Sequence, residues 1–419
     1  MADSTLSAFI GWIDFSEEDQ KKARDYLRSL SEGTLDELGF GIIRDFLADK
    51  FFPATSTIMT RARYFTLVPS IYLHVLGKGS VGETAKKKCG QLEKSLRATL
   101  IRNGAIENWR KEEVKRYPAS IYWAGIRRLK ICNPAIGAQT GYFNSLESYR
   151  QNHEGMGDDD KNMHQSGGGF EIWDPEISHL FNSKLIPTPN ADGSFGEAID
   201  LKLSRPESNY LKKRFQVSEQ DSVIANAFSN ESFEPASYPW DWDFPESLAT
   251  EISFAKHFSR LSKISTLVYY RVLNSMRVQS GREEVEIDLD ESIELWWQTT
   301  RDALANWDIE EFNNWIIENR ICRGSDLNFF KSMHRYLRKA KSASEFVDSE
   351  GLDDLIVYRE KDKRPNKRRL IPGRFQNEWK IPTQNQGYFT DLEHVPYHLN
   401  FRSGIASTII GDIFEGLNS

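Results

Sequence analysis

Asp200, Leu201 and Lys202 form a D-x-K triplet, the second half of a motif used by metal-dependent nucleases. That chemistry needs an upstream carboxylate to share the metal and a strand to hold both groups. Asp174, within WDPEI, is the available partner. The same stretch has a structural explanation. Ile199, Leu201 and Leu203 alternate, and Ser204-Arg205-Pro206-Glu207 is a capping box with proline inside the first helical turn. A three-residue match is common by chance, so the structural explanation leads. Asp158, Asp160 and Asn162 imitate the start of a calcium loop. Met163 stands where that loop needs glycine, and Gly169 where it needs glutamate. His394 and His398 sit four apart beside Glu393, but Pro396 between them breaks the helix that a metal pair would need. The sequence predicts no metal centre and no cofactor. It holds no nucleophile elbow, phosphate loop or dinucleotide fingerprint.

Two clusters of charge remain. PATSTIMTRARYF, residues 53–65, begins like a helix N-terminus, whose positive end disfavours the cations Arg61 and Arg63. One resolution is structural. A helix over Leu35–Phe52 carries Arg44, Asp45 and Asp49, and a short connection would let Arg61 reach Asp49 or Asp45, with Gly39 and Gly41 allowing close approach. The other is an anion site, in which Ser56, Thr57 and Thr60 hydroxyls meet a phosphate alongside Arg61 and Arg63. The second cluster runs from Arg359 to Lys380, where nine Lys/Arg face three acids. Lys363, Arg364, Lys367, Arg368, Arg369 and Arg374, interleaved with Tyr358, Phe375 and Trp379, could contact a nucleic-acid backbone. A solvated face or an acidic partner's dock would look the same in sequence.

The elements that must position these groups are helical. Ser16-Glu17-Glu18-Asp19 opens a helix with Ala23, Tyr26, Leu27 and Leu30 on one face. Helical periodicity follows in 35–52, from about 55 to 76 with Pro69 inside, and in 81–102, 107–116 and 120–131, weakening through 142–150. Asn152–Gly169 is polar and glycine-rich and reads as a loop or mobile insertion. Residues 170–200 read as irregular connection with one strand, then a helix spans 205–217. The strongest stripe is Phe254, Phe258, Leu261, Ile264, Val268, Val272 and Met276. Further helices are expected at 291–307, 310–320, 326–341 and 403–416. The fold class is mostly α, with two helical lobes joined by an irregular middle carrying few short strands. The expected divisions are 1–151, a middle region 152–243 containing the mobile loop 152–169, and 244–419 containing the basic segment 359–380.

Composition narrows the function classes. The chain has 419 residues, enough for two or three domains of roughly 100–200 residues. A net charge of -7 gives no global attraction to nucleic acid or anionic membrane, so any such contact must be local. Cys89, Cys132 and Cys322 are odd in number and far apart, which suits reduced thiols. The start lacks the pattern of a signal peptide, and the longest apolar-rich run, Tyr64–Leu76, is shorter than the ~20 residues of a membrane span. A cytoplasmic protein without membrane contact is expected.

Gly11–Ser16 (GWIDFS), Asp36–Asp45 (DELGFGIIRD), Ala48–Pro53 (ADKFFP), Ser56–Phe65 (STIMTRARYF) and Gly411–Leu417 (GDIFEGL) resemble the motifs of a bacterial family of unknown function over nearly the whole chain. The resemblance implies a bacterial cytoplasmic protein encoded beside helicase-type genes in mobile or antiviral islands, and supplies no catalytic residues. The expected function is a non-enzymatic component of an antiviral defence assembly. It would bind a protein partner, such as a helicase-type protein, and nucleic acid through the basic segment. The alternative is a metal-dependent nuclease using Asp174, Asp200 and Lys202.

Overall fold

The computed structural model describes residues 36–106, 116–153, 172–196, 199–279, 289–366, 369–370 and 399–419. The expected helix after Ser16, the Gly11–Ser16 motif, most of the 107–116 helix, residues 154–169 of the expected 152–169 loop and the His394–His398 pair lie outside these residues, and the first two residues of that loop are helical instead. Among the described residues the protein is mostly α, with 13 helices of seven or more residues and almost no strand. The first group comprises α1 (Gly41–Phe51), α2 (Tyr64–Gly77), α3 (Gly82–Arg102), α4 (Pro118–Arg128) and α5 (Gln139–His153). The middle contributes α6 (Pro175–Asn182), α7 (Arg205–Ser218) and α8 (Val223–Ala227). The last group is α9 (Ala249–Gln279), α10 (Leu289–Ala305), α11 (Ile309–Glu318), α12 (Gly324–Lys339), α13 (Ala343–Val347), α14 (Leu352–Lys363) and α15 (Ser403–Leu417).

The 31-residue α9 is the longest described helix, about 46 Å at the α-helical rise. It packs against α10, α12, α14 and α1. The expected stripe from Phe254 to Val272 is buried, and so are Ala255, Leu267, Tyr269, Tyr270 and Leu273 on other faces. A helix surrounded on most sides explains its buried serines. Ser262 and Ser265 donate back to the carbonyls of Ser259 and Leu261, which gives their hydroxyls an acceptor within the helix itself. In the other group α2 is covered by α3, α4 and α6 and continues through Pro69.

Two starts differ from the sequence expectation. The helix expected from about residue 55 begins at Tyr64 instead. The Tyr122 hydroxyl accepts the N–H groups of Thr60 and Arg61 and donates to the Arg61 carbonyl, holding this segment out of helical pairing. Helix α1 begins at Gly41 because Asp36 accepts the N–H groups of Phe40 and Gly41 at 2.6 and 2.7 Å. Gly39 precedes it with φ +71°, and a Cβ there would lie 2.7 Å from the Lys363 side chain. The region read as irregular, 170–200, carries α6, and its only described pairing is an isolated bridge between Cys132 and Trp173. Helix α14 was not expected at all.

Candidate functional site

The turn before α2 gathers most of the predicted charge. Arg61 Nε contacts both carboxylate oxygens of Asp412, at 3.0 and 2.9 Å, and Nη2 adds a third contact at 2.9 Å. The Ala62 N–H reaches the same carboxylate at 2.8 Å. Asp412 comes from α15, so the partner is not Asp45 or Asp49 as the sequence suggested. Those two acids face Arg402 instead, Asp49 in a short ion pair and Asp45 at 3.6 Å. Arg44 pairs with its neighbour Asp45 at 3.0 Å. The reason for the exchange is the late start of α2, which leaves Arg61 on a turn facing α15.

Arg63 sits at the N-cap position of α2 and forks between two carboxylates. It reaches Glu207 at 3.2 and 3.0 Å and Asp200 at 2.7 Å. Glu207 also accepts the Thr66 hydroxyl at 2.7 Å and the Ser204 N–H at 2.8 Å. The capping box read from the sequence is present. The positive end of α2 is thus flanked by Asp412 and Glu207, carboxylates of the protein itself, which answers the misfit of two arginines there. Of the other residues proposed for an anion, Thr57 and Thr60 are exposed, and the Ser56 hydroxyl is buried without a hydrogen-bond partner.

The nuclease set is dispersed among structural bonds. Asp174 caps α6 by accepting the N–H groups of Glu176 and Ile177, and it pairs with Arg214 at 3.1 Å. Asp200 holds Arg63 and the Lys202 N–H. Lys202 reaches Glu415 at 3.4 Å from an exposed position. Among the described residues no three His, Cys, Asp or Glu side chains are grouped to hold a metal ion.

The basic segment divides. Lys367, Arg368 and Arg374 lie outside the described residues. Lys363, Arg364 and Arg369, read in the sequence as phosphate contacts, turn toward internal carboxylates. Lys363 pairs with Asp326, and Arg364 and Arg369 face Glu37 at 3.7 and 3.5 Å. Arg359 is itself buried, bonding Asp326 at 2.6 Å and the Leu38 carbonyl at 2.7 Å and lying over the Phe329 ring. Burial pushes the Glu37 carboxyl up to about 7 despite Arg369 and Arg364 nearby. Glu360 accepts the N–H groups of Arg369 and Leu370, folding the chain after α14 back onto the body.

A further cationic surface was overlooked in the sequence. Lys331, Arg335, Arg338 and Lys339 line a cleft between α11 and α12, opposite Glu310. The signal was available as basic residues recurring at i, i+4 and i+7 in KSMHRYLRK.

No described helix is long and apolar enough to cross a membrane. Comparisons with curated proteins and with solved structures find no match. A model of a family of unknown function, DUF6361, matches residues 7–416. With nearly its whole length matched, the chain belongs to the DUF6361 family of unknown function.

Proposed function

We propose that the protein is a non-enzymatic helical component of a bacterial antiviral defence assembly, and that it acts by holding a protein partner, such as a helicase-type protein. The observation that carries the non-enzymatic part is the use of Asp174 and Asp200 as fixed structural acceptors, one capping α6 and one tied to Arg63. A carboxylate spent on an arginine and on backbone N–H groups has little capacity left for a metal and its water. The defence setting rests on the motif resemblance at Asp36–Asp45 and Ser56–Phe65. Lys363, Arg364 and Arg369 are held by internal carboxylates, so a protein contact takes precedence over a nucleic-acid contact at that segment.

The test uses Lys202→Ala, since Lys202 is exposed and its pairing is weak. Cells carrying the complete locus are challenged with phage, with the gene intact, deleted or altered. Deletion should abolish protection, the altered gene should retain it, and tagged protein should co-purify with a helicase-type product of the locus. Plasmid nicking that requires Mg²⁺ and vanishes in Lys202→Ala would replace this reading with the nuclease.

A further inference from the structure

We propose that the cleft between α11 and α12 binds the phosphate backbone of nucleic acid through Lys331, Arg335, Arg338 and Lys339. The inference goes beyond the protein-partner reading and does not depend on it. Residues four and three apart share one helix face, so these side chains form a row about 12 Å long on α12. Lys331 pairs with Glu310 across the cleft at 2.5 Å. Arg335, Arg338 and Lys339 are exposed and pair with no described acid.

An ordinary explanation for basic residues late in a helix is compensation of its negative end. That explanation fails here on two counts. The effect fades beyond the last turn, which leaves Arg335 unexplained. The end of α12 is also already served, because the Arg301 guanidinium donates to the carbonyls of Leu337, Arg338 and Ala340 at 3.3, 3.4 and 3.1 Å. Arg301 is held there by stacking over Trp297. The charge of Arg338 and Lys339 is therefore surplus to the helix.

The shape and lining select the ligand class. The cleft has a volume of about 510 Å³, within the range of small-ligand sites, but such sites are lined mainly by apolar groups. This one presents four cations against the single carboxylate of Glu310. A linear polyanion matches a row of cations better than a compact apolar ligand. Arginine's planar fork suits phosphate oxygens in particular. The overall charge of -7 makes the row a local exception, and screening confines its reach to about 10 Å at 0.1 M salt.

The experiment titrates labelled duplex DNA, single-stranded DNA and RNA with full-length protein at several salt concentrations. The variants are R335A/R338A/K339A, R335A alone, and K86A/K87A/K88A as a control of equal charge on α3. With four phosphates neutralised on duplex, raising salt from 50 to 200 mM should weaken binding by roughly a hundredfold for the parent and about fourfold for the triple variant. R335A alone should lower the log–log slope by about 0.9, and the α3 control should leave it unchanged. The arm that binds most tightly at equal salt identifies the form of nucleic acid bound. Equal slopes for parent and triple variant would overturn the proposal. So would absence of binding by the parent at low salt, or equally tight binding of poly-glutamate. Circular dichroism melts of each variant exclude misfolding as the cause of a loss.

Discussion

Glu207 and Glu37 are both buried glutamates facing arginine, and their surroundings differ in one respect. Glu207, 0% exposed, receives aligned donors from Arg63, Thr66 and Ser204. Glu37, 6% exposed, has guanidinium groups 3.5 and 3.7 Å away, and its Oε1 has no hydrogen-bond partner. Arg364 Nη1 and Arg359 Nη2 in the same cluster are also without partners. Nearness of opposite charge is therefore not what settles a buried carboxylate here. Directed hydrogen bonds replace the water that burial removes, and charge at a distance replaces only part of it. One region is locked, and the other keeps an unsatisfied balance that pH can tip.

The largest expected effect tests the locked side. Arg63→Ala leaves Glu207 buried and without its guanidinium, which should cost about 3–5 kcal/mol in urea unfolding. A loss below about 1 kcal/mol would break the contrast. Asp412→Ala removes charged hydrogen bonds from Arg61 and Ala62, and a smaller loss of about 1–3 kcal/mol should follow, since Arg61 is partly open to water.

The other side is sharpened by pH. Burial raises the Glu37 carboxyl from 4.5 to about 7, so the folded protein binds its proton more tightly than the unfolded chain. Stability from this group is then present below about pH 4.5 and falls as pH rises through about 7. Glu37→Gln should lose that dependence, so the variant gains on the parent between pH 5 and 7 by about 2–3 kcal/mol at most. Melts of both proteins across this range measure the difference, and parallel curves would count against it. Glu93, also raised to about 7 by burial, provides an independent second case through Glu93→Gln. The smallest effect belongs to Lys202→Ala, whose exposed pair with Glu415 should leave stability within about 0.5 kcal/mol of the parent.

What the sequence made legible follows local physics. The stripe of α9 and the capping box at Ser204 depend on residues three or four apart, and both are present in the structure. Helix α14 escaped because its inward face carries Leu352, Ile356, Arg359 and Glu360. Two charged residues on the buried side erase the apolar stripe that periodicity detects. The start of α2 was misplaced because the hydroxyl that holds the preceding turn belongs to Tyr122, 62 positions from Thr60. The partner of Arg61 was illegible for the same reason at greater range, since nothing near residue 61 specifies an aspartate at 412. The cation row on α12 obeyed a local rule and was readable.

The distance along the chain between Arg61 and Asp412 has a consequence for biosynthesis. The pair is separated by 351 positions, and Arg402 lies 353 positions beyond Asp49. At roughly 5–20 residues per second, a ribosome needs about 20–70 s to travel between such partners. During that interval α2 has neither the Asp412 carboxylate nor the Glu207 carboxylate for the first part, and its turn carries unpaired arginines in a nascent chain. The region around α2 thus completes its ion pairing only after α15 emerges from the ribosome.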